Sequence, residues 1–110
     1  VTSMLILMGY IHLDPSDLHD FVTDVEAISL GTRTEEGCLF YGIVLEDGPT
    51  GRFLVAQRWQ DRESLTAHLE RGETLAFLET WRDRMKVDLQ AYDVLEERPL
   101  AMANGRASRQ

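Results

Sequence analysis

The chain of 110 residues is one domain's worth of sequence, enough to bury roughly two-thirds of its unfolded surface without disulfide staples. Its 44% hydrophobic and 27% charged content is that of an ordinary globular protein and excludes a disordered or fibrous one. The net charge of -8, with no basic cluster to reverse it, argues against nucleic acid and against an anionic membrane surface as partners.

"MLILMGYIHL", Met4 to Leu13, is nearly all apolar, which predicts a strand buried on both faces. No basic residue precedes it and "DPSD" follows, so it reads as a strand and not as a signal-peptide core. Asp14 offers an N-cap, Pro15 suits the first helical position and Asp17 the positive end of a helix that starts here. Leu18, Phe21, Val22, Val25 and Ile28 recur at three- and four-residue steps and make its apolar stripe. Gly31 weakens the end of that helix. Glu35 and Glu36 read as solvated turn residues, and Gly37 turns the chain into "CLFYGIVLE", a second strand from Cys38 to Glu46. The single Cys38 has no intrachain partner and reads as a small buried hydrophobe, which fits a reducing, cytoplasmic setting.

"DGPTG", Asp47 to Gly51, has hairpin-loop chemistry, and Phe53 to Trp59 returns as the third strand. Asp61 caps a helix whose expected inward positions are Leu65, His68 and Leu69. After a break at Gly72, the residues Leu75, Leu78, Trp81 and Met85 continue helical spacing, and Val87 to Leu95 alternates as a fourth strand. The domain is therefore expected over residues 1–97, with 98–110, "RPLAMANGRASRQ", as a flexible or partner-contacting tail. The order βαββαβ is that of a ferredoxin-like α+β fold, an antiparallel sheet with helices on one face. The first strand nevertheless carries Ile6, Met8 and Tyr10 at one parity and Leu5, Leu7 and Ile11 at the other. A bare sheet face of that content calls for a cover, and a two-fold homodimer closed sheet to sheet supplies one.

Two segments carry a family resemblance: "RTEEGCLFYGI", Arg33 to Ile43, and "FLVAQRWQDRESLTAHL", Phe53 to Leu69, followed at the expected offset by "LAF", Leu75 to Phe77. From about Met4 to Leu95 the chain resembles the antibiotic biosynthesis monooxygenase domain family, small dimeric α+β barrel proteins. The resemblance implies oxygenation of a quinol or polyketide-type phenol by molecular oxygen, with no metal and no organic cofactor. Two departures stand out, Gln57 where the family often has a glutamate and Glu73 where it often has a histidine. Relatives that degrade haem use an asparagine, a tryptophan and a histidine where this chain has Gly9, His68 and Leu78, so that triad is not preserved.

The candidate site residues are few. His68 is the best candidate for proton transfer, since an imidazole suits the deprotonation of a phenol, although a lone histidine on an inward helix face is more often a core residue. Trp59 ends a strand, where a large aromatic ordinarily plugs the core; the resemblance adds the role of a wall beside the reacting ring, so it joins His68 as a catalytic candidate. Tyr41, Phe77 and Trp81 would ordinarily be packing residues, and would line a substrate pocket between sheet and helices if one exists. His12 and His19 lie on other elements, and no histidine pair has metal-site spacing. Ser64 reads as capping chemistry, and the lone Gly72 makes no phosphate loop. The rival to an oxygenase is a non-oxygenating protein of the same dimeric barrel type, ligand-binding, isomerase-like or stress-related. A purely structural dimerisation domain is the third reading.

Overall fold

The computed structural model describes residues 3–101. Strand β1 spans Met4–Leu13, helix α1 Leu18–Thr32, β2 Cys38–Asp47, β3 Arg52–Trp59, α2 Arg62–Glu70, α3 Gly72–Trp81 and β4 Met85–Val94. The strands pair antiparallel in the order β2-β3-β1-β4, so the two outer strands are joined to the centre by helical crossovers on one face. This is the ferredoxin-like arrangement the sequence predicts.

The caps work largely as expected. Asp61 accepts a 2.8 Å hydrogen bond from the Ser64 amide and starts α2. Asp14 caps too, accepting from the Ser16 amide at 2.9 Å, but it opens a single 3-10 turn at Pro15–Asp17, and the α-helix begins only at Leu18. The interruption before α3 falls at Arg71, whose backbone is extended at ψ 146, and Gly72 is the first residue of α3. That one extended residue resets the helical phase. Leu75, beyond the break, is therefore 53% exposed while Thr74 and Trp81 are buried; within α2 His68 takes the inward position and Leu69, one residue on, is 45% exposed. Met85 belongs to β4, which starts two residues earlier than the alternation suggested.

Strand parity sorts the side chains. On the helix face, Leu5 pairs with Trp59, Ile11 with Phe53 and Gly9 with Val55, and Phe21 and Val25 of α1 close over the Phe53 end. Phe21 makes edge-on contacts with Phe53 at 4.8 Å and Trp81 at 5.0 Å between ring centroids, a dense aromatic core. The opposite face carries Ile6, Met8 and Tyr10 of β1, Phe40 and Val44 of β2, Leu54 of β3 and Tyr92 of β4. Phe40 is 51% exposed, Val44 57% and Tyr92 51%, so in the single chain this face is a broad apolar surface with no helix over it. At its edge Arg58 pairs with Glu97 at 2.9 Å. Residues 98–101 have no regular structure, and residues 102–110 of the expected tail lie outside the described residues.

Candidate active site

The site lies at the other end of the helix face, where Leu5, Tyr41 and Trp59 form a second buried cluster with Leu7, Ile43, Leu65 and Cys38 around it. Trp59 is fully buried at the end of β3, and its rings lie 4.8 Å from the His68 imidazole at an interplanar angle of 32°. Tyr41, from the neighbouring strand β2, meets the same imidazole edge-on at 5.9 Å. His68 is thus held between two aromatics from adjacent strands, and it is only 4% exposed.

Its orientation is set by Glu35. The Glu35 carboxylate lies 3.0 Å from His68 Nδ1, and its other oxygen receives the Arg71 guanidinium. A carboxylate only accepts, so Nδ1 carries the proton and donates it to Glu35, leaving Nε2 as a bare lone pair. Every fully buried side-chain nitrogen or oxygen among the described residues has a partner. Nε2 has none and so keeps accessible surface, on a residue that lines the cavity between sheet and helices. Glu35 was expected to be a solvated turn residue; it is 10% exposed. The reason is tertiary. Gly37 adopts φ +84 and lies so close to Ser64 that a Cβ would overlap the Ser64 side chain, while its carbonyl accepts from the Gln60 amide at 2.8 Å. The loop is thereby pressed against the start of α2, and Glu35 is carried under His68. Arg71, the extended residue between the two helices, supplies the charge that makes a buried carboxylate tolerable.

The cavity between sheet and helices measures about 130 Å³ and is lined by Leu7, Ile11, Val55, Phe77, Leu78 and Leu89 together with Tyr41, Gln57 and His68. Nearly all of its wall is hydrocarbon or aromatic, with very few polar groups, as small-molecule sites are. Of the expected pocket residues, Tyr41 and Phe77 line it. Trp81 does not: it lies in the Phe21 core, its indole N–H donating to Asp24 at 2.9 Å and Arg84 stacked over its ring. Trp59 stands behind His68, its indole N–H donating to Gln57 Oε1 at 2.9 Å. Gln57, noted in the sequence only as a departure, is buried on the cavity wall. Glu73, the other departure, is on the surface and pairs with Arg71 at 3.2 Å. Gly9 has φ +153, and a Cβ there would run into the backbone of Asp88, so no side chain can replace it on this strand without moving β4. Among the described residues no group of three or more His, Cys, Asp or Glu side chains converges as a metal site would.

Burial, and next the Glu35 charge, push the Tyr41 hydroxyl up to about 12. Tyr41 therefore stays protonated at neutral pH and is no rival base to His68. The sign of the stability effect follows. An unfolded tyrosine titrates near 10, so the unfolded chain releases this proton first, and the contribution is complete below pH 10 and lost as pH rises towards 12. We expect an alkaline loss of about 2 kcal/mol that Tyr41→Phe removes. Urea midpoints across that range measure it; identical curves for parent and variant would place Tyr41 in contact with water.

The molecule is thus a ferredoxin-like α+β domain with an imidazole, oriented by a carboxylate, beside a small apolar cavity. The chain belongs to the antibiotic biosynthesis monooxygenase family, whose profile matches residues 4–80. It is 22% identical over 86 residues, 78% of this chain and 90% of the other, to "Putative monooxygenase YcnE" of Bacillus subtilis. Among solved structures it superposes on a "putative antibiotic biosynthesis monooxygenase" from Deinococcus radiodurans with a TM-score of 0.76 at 19% identity, covering 87% of this chain and 97% of that one. Rv0793 from Mycobacterium tuberculosis gives 0.70 at 19% identity, covering 92% and 99%. At these identities the structural likeness speaks for the fold. No helix among the described residues is long and apolar enough to cross a membrane.

Proposed function

We propose that this chain is a cofactor-independent monooxygenase that oxidises a quinol or polyketide-type phenol with molecular oxygen. The observation that carries the reading is the Glu35–His68 pair, which leaves Nε2 facing an apolar cavity backed by Trp59 and Tyr41. His68 takes the proton from the phenolic hydroxyl, and the imidazolium that forms is stabilised by the Glu35 carboxylate beside it. The phenolate is electron-rich at the ring carbon opposite its oxygen. That carbon gives its electrons to oxygen, forming a C–O bond, and the proton held by His68 passes to the peroxide. Loss of water then breaks the O–O bond and leaves a quinone carbonyl, so the substrate supplies all four electrons and one oxygen atom leaves as water. The apolar wall keeps bulk water from the anion during these steps.

Cavity size favours a modest substrate. About 130 Å³ falls below the roughly 300 Å³ usual for drug-sized ligands. A one- or two-ring phenol suits it; larger polyketides require the half-exposed Leu69 and Val87 at its edge to move. The same small volume supports the second reading, a non-oxygenating member that binds or isomerises a small ligand. Oxygen uptake by the purified, metal-free protein with hydroquinones, naphthols and anthrone-type phenols separates them. Uptake above autoxidation supports the oxygenase, whereas saturable ligand binding with background uptake supports the binding protein.

The apolar sheet face is best covered by a second copy of the chain, completing a dimeric α+β barrel, since an uncovered face of this kind is rare on a soluble monomer. A charge introduced at Met8 or Phe40 would be buried twice in such a dimer. Met8→Lys is therefore expected to weaken association at least about 100-fold, the equivalent of roughly 3 kcal/mol. The fold should be untouched, because Met8 is 47% exposed in the single chain. Light scattering after gel filtration reads this directly, and an unchanged dimer in Met8→Lys, or a monomeric parent, would refute the interface. A cytoplasmic setting remains part of this proposal, consistent with the unpaired Cys38.

A further inference from the structure

Beside His68, Tyr41 and Thr74 the cavity wall carries the Gln57 amide, and its orientation is not arbitrary. An indole N–H only donates, so the 2.9 Å contact from Trp59 Nε1 requires the oxygen of the Gln57 amide on that side. The amide N–H2 is thereby turned the other way. Gln57 is 7% exposed, at the centre of the sheet between Leu7 and Tyr41 in the strand register. No acceptor among the described residues receives a bond from its nitrogen, and no fully buried side-chain nitrogen is left without a partner. The nitrogen therefore keeps accessible surface at the cavity that Gln57 lines, among Leu7, Ile43 and Val55, and neither of the hydroxyls on that wall, Tyr41 and Thr74, receives a bond from it. A donor that keeps its accessible surface beside a mostly hydrocarbon wall is matched by a ligand oxygen and left unmatched by a hydrocarbon.

We infer that Gln57 is the specificity-determining donor of this cavity, and that the ligand is a ring bearing an acceptor oxygen, a carbonyl or a phenolate, placed against its amide N–H2. The inference rests on the reading of the cavity as a substrate site. Gln57 and His68 then divide the work. His68 Nε2 accepts a proton, and Gln57 donates to an oxygen that carries or gains negative charge. A glutamate at this position would still accept from Trp59, but as a carboxylate it would present only acceptors and repel an anion. The neutral amide thus commits this chain to acceptor-bearing ligands, where a carboxylate would favour hydroxyl donors.

Matched probes of one skeleton test this: α-tetralone, which carries a ring carbonyl, and tetralin, which lacks it. Without a donor the hydrocarbon binds at least as tightly as the ketone, because it is easier to desolvate. With the Gln57 donor, titration calorimetry should show the ketone favoured by about tenfold. In Gln57→Met the preference should vanish or reverse. Any general disturbance from orphaning the Trp59 N–H acts on both ligands and cancels in their ratio. Should Gln57→Met fail to fold, the parent protein still decides: the side-chain N–H2 resonances of Gln57 should shift on addition of α-tetralone and stay in place with tetralin. Equal affinities for the two probes in the parent, or unmoved Gln57 resonances under saturating ketone, would overturn the inference. Neither measurement involves oxygen. A protein that prefers the ketone through Gln57 yet consumes no oxygen keeps this inference and loses the monooxygenase reading, and the converse result does the opposite.

Discussion

His68→Ala should lower oxygen turnover with a cavity-sized quinol by about 100- to 10,000-fold, the range contributed by a positioned general base. Folding should survive the change, because Glu35 keeps its ion pair with Arg71 when the imidazole is gone. The distinction between base and core residue lies in how the loss is distributed. If His68 only fills space between Trp59 and Tyr41, its removal weakens binding and kcat stays near the parent value. If it takes the proton, kcat and kcat/KM fall together. Glu35→Gln provides a graded control, since an amide still holds the ring near its place but no longer stabilises the imidazolium. It should lower kcat by roughly tenfold, less than His68→Ala does. Turnover in His68→Ala within twofold of the parent would remove His68 from the proton step altogether.

Trp59→Ala should be the most damaging single change to the fold around the site, at about 3–5 kcal/mol. Trp59 is fully buried, pairs across β1 with Leu5, and packs with Tyr41 and Leu65 in the cluster behind His68. Its loss would leave a cavity that strands on both sides of β3 cannot close, because a sheet is stiff across its ladder. It would also orphan the Gln57 oxygen and free the amide to rotate. Trp59→Phe separates the two effects. The ring wall is largely kept, so stability should fall by only about 1–3 kcal/mol, the penalty of an unpaired buried acceptor. Ligand selectivity through Gln57 should fall nonetheless. Chemical denaturation of both variants measures the ordering, and equal losses would mean that the hydrogen bond, not ring volume, dominates at this position.

The question whether Trp59 and His68 are core or chemistry has a mixed answer in the structure. Trp59 is a core plug by burial and sits against the imidazole by stacking. His68 is as buried as a core residue, yet its second nitrogen opens on a cavity. Trp81 shows the opposite outcome, a sequence candidate for the pocket that the Phe21 core absorbs. Aromatic content and helical spacing alone do not separate these cases, since Phe77 touches both the core and the cavity.

The order of elements, the Asp61 cap, the turn at Asp47 to Gly51, the apolar parity of the first strand, and the placing of Trp59 and His68 on consecutive elements are all legible in the amino-acid sequence. Each of these rests on interactions within a few residues: capping geometry, a period of two or a period near 3.6. The way His68 is held is a product of long-range packing. Glu35 lies 33 positions away in the chain and reads as one more acid in a polar turn, and its sole local signal is the nearby Gly37. Its burial comes from the Gly37 loop packing on α2 and from Arg71 supplying a counter-charge, and neither has a periodicity to read. The same holds for Leu75, turned outward by one extended residue, and for Gln57, whose free donor exists because Trp59 claims its oxygen. Long-range polar contacts are set by which surfaces meet after folding, whereas strands and helices are set before it.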